Sequence, residues 1–305
     1  MRVLFTARHS LPHLLAMTAA ARACTAAGHE VRATGPEAAG PEALPEVFRA
    51  RPPAHGFHAD LVVSGDEEPG DHPGAVVVRW TPLDRHPADG RRPPRIDPCP
   101  PHLRADADRD SLALRQPTSH PGLLPPGLRT FHRPLRVCLR PGTPGAGGWT
   151  PDRLRRVARA ALGLDVEVIV PVPAAERHRL GVSGPRVLFA EPRLLGPVLA
   201  TCVAVVHEGG PDVTLEAAAH GVPQLVLTDA RPPGDRLAMI GAGRRLVSAE
   251  NPDETSSTLR LRRHIAELLY DGRALAAARR LSTAIADLSP PEAFADRLRE
   301  LTDAR

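Results

Sequence analysis

The chain has 305 residues, 39 basic and 35 acidic, for a formal charge of +4. Every basic residue is arginine, which excludes a lysine Schiff base and a phosphate-loop lysine. The charge is mild and no arginine run is long enough for a nucleic-acid arm. Aromatic residues make up only 3% of the chain, too few for a stacking platform for single-stranded nucleic acid. The hydrophobic fraction of 42% suits a globular protein, and the length favours two modest domains. Cys24, Cys99, Cys138 and Cys202 form no C-x-x-C pair and read as small buried hydrophobes. No metal site is expected: His207 and Glu208 are adjacent, and no third ligand stands at a defined spacing. The start of the chain lacks a signal-peptide pattern and no apolar run approaches the ~20 residues of a membrane span, so a soluble, cytoplasmic protein is expected.

In chain order, Val3-Leu4-Phe5 predicts a first strand. Pro12 opens a helix whose apolar positions run through Leu14, Met17, Ala21 and Cys24, and Gly28 closes it. Glu30 to Ala33 is the second strand, giving the strand–helix–strand opening of a parallel α/β sheet. Asp60 to Val63 and Ala75 to Val78 are two more buried strands. Between them, Gly35 to Pro53, Thr81 to Pro101 and Pro117 to Pro134 are proline-rich and read as loops, leaving this half short of helix.

From Leu135 the pattern sharpens. Strands are predicted at 135–139, 166–170, 187–189, 203–206 and 224–227. Helices are predicted at Pro151 to Leu162, near Leu194 to Thr201, at Thr214 to Ala219 and near Arg236 to Ile240. Helical periodicity then spans Leu259 to Leu288 with a break near Gly272, and a last helix follows Pro290-Pro291. Arg153, Arg155, Arg156 and Arg159 are expected to form a solvated helix face. The alternation predicts two doubly wound, Rossmann-like α/β domains, with a ligand held at the carboxyl ends of the sheets. The expected organisation is a reduced N-terminal domain over 1–134, a second domain over 135–288, and a terminal helix over 289–305 that packs back on the first domain.

Several segments resemble the natural-product glycosyltransferases of actinobacteria. Met1 to Thr6, Pro12 to Met17 and Ala26 to Val31 are similar to their first strand, first helix and second strand. Ile96 to Pro101 resembles the motif ahead of their interdomain linker, and Arg136 to Leu139 with Gly142-Thr143 their second domain's first strand. Cys202 to His207 running into Gly221-Val222-Pro223-Gln224-Leu225-Val226-Leu227 carries the likeness furthest. The resemblance covers almost all of 135–305 and pieces of 1–134. It implies the two-domain GT-B fold, a macrolide or polyketide aglycone as substrate, and a nucleotide diphosphate sugar as donor. It assigns His13 as the general base that deprotonates the acceptor. It places Gly142, Thr143, His207, Gly209, Gly210 and Asp235 in the donor site.

The departures from that pattern matter as much. Where the family reads His-His-Gly-Gly-x-Gly-Thr-Thr, this chain reads His207-Glu208-Gly209-Gly210-Pro211-Asp212-Val213-Thr214. The histidine that contacts the donor diphosphate is replaced by Glu208, and a glycine and a hydroxyl by Asp212 and Val213. The family's sugar-holding Asp-Gln falls on Pro232-Pro233, while Asp235 still matches a later aspartate. A helix start binds phosphate through free N–H groups. With Gly210 as cap, Pro211 supplies none, and Asp212 is expected to take up the remaining donors itself. Two unit charges near 4 Å repel by about 4 kcal/mol at an effective dielectric of 20. The diphosphate site is therefore expected to be lost, with no cofactor required.

Three functions follow. The first is a repurposed homologue acting on a natural-product intermediate, with His13 and either Glu208 or Asp212 in acid–base roles such as cyclisation, dehydration or elimination. In that reading Glu208 and Asp212 form an i, i+4 pair if the helix starts early enough. The second is a glycosyltransferase with an atypical nucleotide-sugar donor. The third is a non-catalytic auxiliary of a pathway enzyme. Asp60, Glu67, Glu68 and Asp71 are candidates for an acid that orients His13. A small-molecule partner is expected and neither nucleic acid nor membrane, with a second copy or a pathway enzyme as the candidate protein partner.

Overall fold

Among the described residues, two parallel sheets of six strands organise the chain. A computed structural model describes residues 1–8, 14, 16–36, 44, 46–49, 57–65, 74–80, 95–97, 99–100, 103, 111–115, 124–129, 135–142, 148–228, 234–247 and 254–303. The chain divides into two units: Met1–Pro117 with Asp287–Arg305, and Thr118–Ala286.

In the first unit the strands are β1 (Arg2–Thr6), β2 (Glu30–Thr34), β3 (Leu61–Ser64), β4 (Val76–Trp80), β5 (Arg95–Asp97) and β6 (Ser111–Ala113). Their order is β2-β1-β3-β4-β5-β6. Helix α1 (Thr18–Ala26) joins β1 to β2, and Gly28, at φ +81°, ends the turn that follows it. The buried face of α1 is Ala20, Ala21, Ala23 and Cys24. Such small side chains let another helix approach closely, and α10 (Ala293–Asp303) packs there, placing Phe294 and Leu298 in the same core. A short helix, α2 (Glu46–Arg49), adds Phe48 against Phe5 at 5.9 Å between ring centroids.

The proline-rich stretches expected as loops carry α2, β5 and, further on, α3 (Pro126–Arg129). These elements are three or four residues long and show no periodicity. Ile96, fully buried between β4 and β6, is the one apolar residue of β5.

The second unit contains β7 (Arg136–Arg140), β8 (Glu167–Pro171), β9 (Val187–Ala190), β10 (Ala204–His207), β11 (Gln224–Leu227) and β12 (Gly243–Leu246). The order β12-β11-β10-β7-β8-β9 reverses direction between β7 and β10, the mark of a doubly wound sheet. Helix α4 (Pro151–Leu162) starts on Thr150, whose Oγ1 accepts the Arg153 N–H at 3.2 Å, with Pro151 at the first position. Its arginines do not form one solvated face: Arg155 and Arg159 are exposed, whereas Arg153 and Arg156 are half-buried. The remaining helices are α5 (Leu195–Leu199), α6 (Pro211–Ala219), α7 (Gly234–Met239), α8 (Glu254–Tyr270) and α9 (Gly272–Ala286). Helix α8 packs on α4, while α9 packs on α6 and sends Ser282 Oγ to the Ala219 carbonyl at 2.6 Å.

Strand β12 has no sequence signature because its central residues are Arg244 and Arg245. Each is paired with a carboxylate, Glu267 at 2.8 Å and Asp235 at 3.1 Å. Residues 124–129, expected in the first domain, fall in the second unit. They are held there by an arginine that also forms a wholly buried ion pair. Arg136 meets Glu167 Oε2 through Nε and Nη2 at 3.1 and 2.8 Å, and its Nη1 reaches the Leu128 carbonyl and Thr201 Oγ1. Leu124 and Leu128 complete the attachment by entering the core beside Cys138 and Ile169.

Candidate functional site

A doubly wound sheet opens a crevice where its strand order reverses, just beyond the carboxyl ends of the two central strands. Here those strands are β7 and β10, paired from Ala204 with Val137 to His207 with Arg140. Beyond them lie Pro141-Gly142 on one side and Glu208-Gly209-Gly210 on the other, with α6 starting at Pro211.

His207 is fully buried and turned into the protein. Its Nδ1 accepts the Gly209 N–H at 3.1 Å, so the proton sits on Nε2, which donates to Gln224 Oε1 at 2.9 Å. Gln224 in turn donates through Nε2 to the Thr214 carbonyl at 3.0 Å. Burial is the main cause that lowers the His207 pKa to about 4, so the ring is neutral at ordinary pH. This chain of bonds ties the end of β10, the start of β11 and the first turns of α6 into one rigid corner. Gly209 sits in it at φ +101°, a conformation that other residues rarely adopt. The ring of His207 therefore shapes the turn and presents neither nitrogen outward.

Glu208 points the other way. A Cβ added to Gly142, itself at φ +75°, would stand 2.9 Å from the Glu208 carboxyl carbon. A Cβ on Gly210 would stand 3.1 Å from Glu208 Oε1 and 3.0 Å from Asp212 Oδ1. The Glu208 side chain thus lies over the loop after β7, in the crevice itself. Its Oε2 is buried without a hydrogen-bond partner among the described residues. Burial pushes its carboxyl above the usual carboxylate range and the Asp212 charge acts in the same direction, opposed by its own backbone N–H and by Arg140.

Gly210 is the cap of α6 and Pro211 its first residue, so the helix start has one N–H fewer to offer. Glu208 precedes the helix, so Glu208 and Asp212 are not an i, i+4 pair on one helical face; they meet across Gly210 instead. The Asp212 carboxylate lies back over Gly210 at the helix start, with Oδ1 3.0 Å from the place of a Cβ on that glycine. Asp235 opens α7 and is engaged by Arg245.

His13, Thr143, Pro232 and Pro233 lie outside the described residues, as do Glu67, Glu68 and Asp71. Asp60 is committed elsewhere, accepting from the Arg2 N–H at 2.7 Å and from its guanidinium at 3.1 Å. Two residues of the corner had no assigned role in the sequence, Gln224 and Arg140. A glutamine opening a buried run of Leu-Val-Leu was the available signal for the first. Among the described residues no group of three or more His, Cys, Asp or Glu is placed to hold a metal ion, and no helix is long and apolar enough to cross a membrane.

Residues 155–301 match the family described as erythromycin biosynthesis protein CIII-like, C-terminal domain. The chain is 31% identical over 215 residues to the TDP-daunosamine transferase DnrS of Streptomyces peucetius, covering 68% of this chain and 49% of that protein. It is 31% identical over 232 residues to the aklavinone 7-beta-L-rhodosaminyltransferase of Streptomyces galilaeus, covering 72% and 51%. The chain therefore spans about half the length of these relatives. Among solved structures it is similar to the spinosyn rhamnosyltransferase SpnG, with a TM-score of 0.79 at 24% identity over 98% of this chain and 100% of that one. The fold is that of the GT-B glycosyltransferases, two Rossmann-like α/β units.

Proposed function

We propose that the chain is a glycosyltransferase homologue of antibiotic or polyketide biosynthesis that acts on a natural-product intermediate by acid–base chemistry, without a nucleotide sugar. One observation carries this reading: the Glu208 carboxylate lies against Gly142 and Gly210, at the reversal point where a doubly wound domain receives a ligand's phosphates. An internal anion there disfavours a second one. The same carboxylate, its proton affinity raised by burial, suits a group that takes up and returns a proton, with Asp212 as the second carboxylate of the pair. His13 is assigned the base that takes a proton from the intermediate, giving a cyclisation, dehydration or elimination.

Thermal unfolding with and without millimolar dTDP and UDP tests the donor half of the proposal. Neither nucleotide is expected to move the transition. A shift of several degrees with either would overturn the proposal in favour of an atypical sugar transferase, the reading that the transferase names of the relatives favour. Replacing His13 by alanine tests the chemistry: turnover of the pathway intermediate should fall about 10²–10⁴-fold. An undiminished pathway effect would instead mark a non-catalytic auxiliary.

A further inference from the structure

Three buried polar side chains, His207, Thr214 and Gln224, have no part in the acid–base chemistry proposed above. They form a closed circuit of hydrogen bonds beside the crevice carboxylate. Pairing of β10 with β11 sets Val205 beside Gln224 and His207 beside Val226, so the histidine and the glutamine meet although α6 separates them in the chain. The circuit runs from His207 Nε2 to Gln224 Oε1 at 2.9 Å, and from Gln224 Nε2 to the Thr214 carbonyl at 3.0 Å. The Thr214 hydroxyl then donates to the Gly210 carbonyl at 2.8 Å, and the neighbouring Gly209 N–H donates back to His207 Nδ1 at 3.1 Å.

The polarity of this circuit starts at a group that has no choice. The Thr214 carbonyl can only accept, so the Gln224 amide turns its NH2 toward it. Gln224 Oε1 is then an acceptor, which puts the ring proton of His207 on Nε2 and leaves Nδ1 as an acceptor in turn. The Gly209 N–H uses that acceptor. This last bond joins residues on either side of Glu208, so the φ and ψ of Glu208 lie inside the ring that it closes. Gly209 gives the clamp no room to shift: it stands at φ +101°, and a Cβ there would come within 3.0 Å of Val226 Cγ1. With its main chain held on both sides, Glu208 sends its side chain over Gly142 and Gly210.

We infer that His207, with its tautomer set by Gln224, is a positioning residue that aims the Glu208 carboxyl into the crevice by accepting the Gly209 N–H. The inference rests on the reading of Glu208 as the working carboxyl of that crevice. The test is NMR of the full chain labelled in its glutamate carboxyls, backbone amides and histidine rings, with Glu208→Gln identifying the Glu208 signal. In the parent, Glu208 should titrate above the usual carboxylate range and the His207 proton should stand on Nε2. His207→Leu removes the acceptor, and the Glu208 titration should fall back to that of an exposed glutamate. His207→Asn keeps an oxygen that can accept from the N–H two residues on, a bond asparagine makes readily, and should retain the raised titration. Gln224→Glu matches the parent side chain in size and decides the matter if His207→Leu does not fold, which circular dichroism establishes. Its carboxylate favours the doubly protonated ring, whose Nδ1–H opposes the Gly209 N–H. The pH at which the Gly209 amide and Glu208 carboxyl signals move together should therefore rise by about one unit or more from its parent value of about 4. Arg140 of β7 acts on both His207 and Glu208, and Asp212 on Glu208; neither changes between the variants, so the comparison isolates the circuit. A parent-like Glu208 titration in folded His207→Leu would overturn the inference. So would its loss in His207→Asn as well, or an unmoved opening pH in Gln224→Glu. Binding of dTDP to the parent would overturn the function proposed above instead, and the NMR comparison would still decide the role of His207.

Discussion

Under the proposed function, removing the Glu208 side chain should raise the affinity of the chain for nucleoside diphosphates. In the structure its carboxylate oxygen lies 3.1 Å from the point where a Cβ on Gly210 would stand, at the mouth of α6. A phosphate docked on that helix start would meet this charge at roughly 4 Å, a repulsion of about 4 kcal/mol at an effective dielectric of 20. That is about three decades of affinity. Glu208→Ala removes both the charge and the bulk over Gly142. If the dissociation constant falls to one hundredth of the dTDP concentration used, the ligand adds about 2.7 kcal/mol, or a shift of roughly 5–10 °C in a unit of this size. Differential scanning fluorimetry of the parent, Glu208→Ala and Glu208→Gln at 1 mM dTDP reads this directly. Glu208→Gln keeps the bulk and removes the charge, so it should recover only the electrostatic part. No dTDP response in Glu208→Ala, alone or combined with Asp212→Gly, would refute the argument that internal carboxylates close this site.

Two further predictions concern the frame of the second unit. Glu167→Ala strands the Arg136 guanidinium in a dry interior and should cost about 3–5 kcal/mol, a drop of roughly 6–20 °C by calorimetry; replacing both residues by leucine should recover much of it. His207 titrates near 6.5 when unfolded and near 4 when folded, so the unfolded chain takes up the extra proton between those values. Its contribution to stability is therefore complete above about pH 6.5 and declines, by about 3 kcal/mol, as the pH falls to about 4. Urea unfolding across that range checks the sign; stability rising toward pH 4 at this step would contradict the buried neutral ring.

The long elements were legible in the sequence because each carries its own signal. Helix α4 starts and ends where Thr150-Pro151 and the spacing of Leu154, Val157 and Ala161 place it, and β11 is an uninterrupted apolar run after Gln224. Strand β12 was not legible, because Arg244 and Arg245 become acceptable in a sheet only once Glu267 and Asp235 are brought beside them. The attachment of residues 124–129 to the second unit likewise depends on a bond from Arg136 to the Leu128 carbonyl. At the site, the sequence by itself determined which residues depart from the related pattern: Glu208, Asp212 and Val213. Only the tertiary structure decided what they do. Parallel pairing of β7 with β10 brings Gly142 under the Glu208 carboxylate, and the bonds from His207 to Gln224 turn that histidine inward and its neighbour into the crevice. The reason is physical: charge and hydrogen-bonding capacity are properties of a residue, but the partner that satisfies or opposes them is chosen by segments far away in the chain.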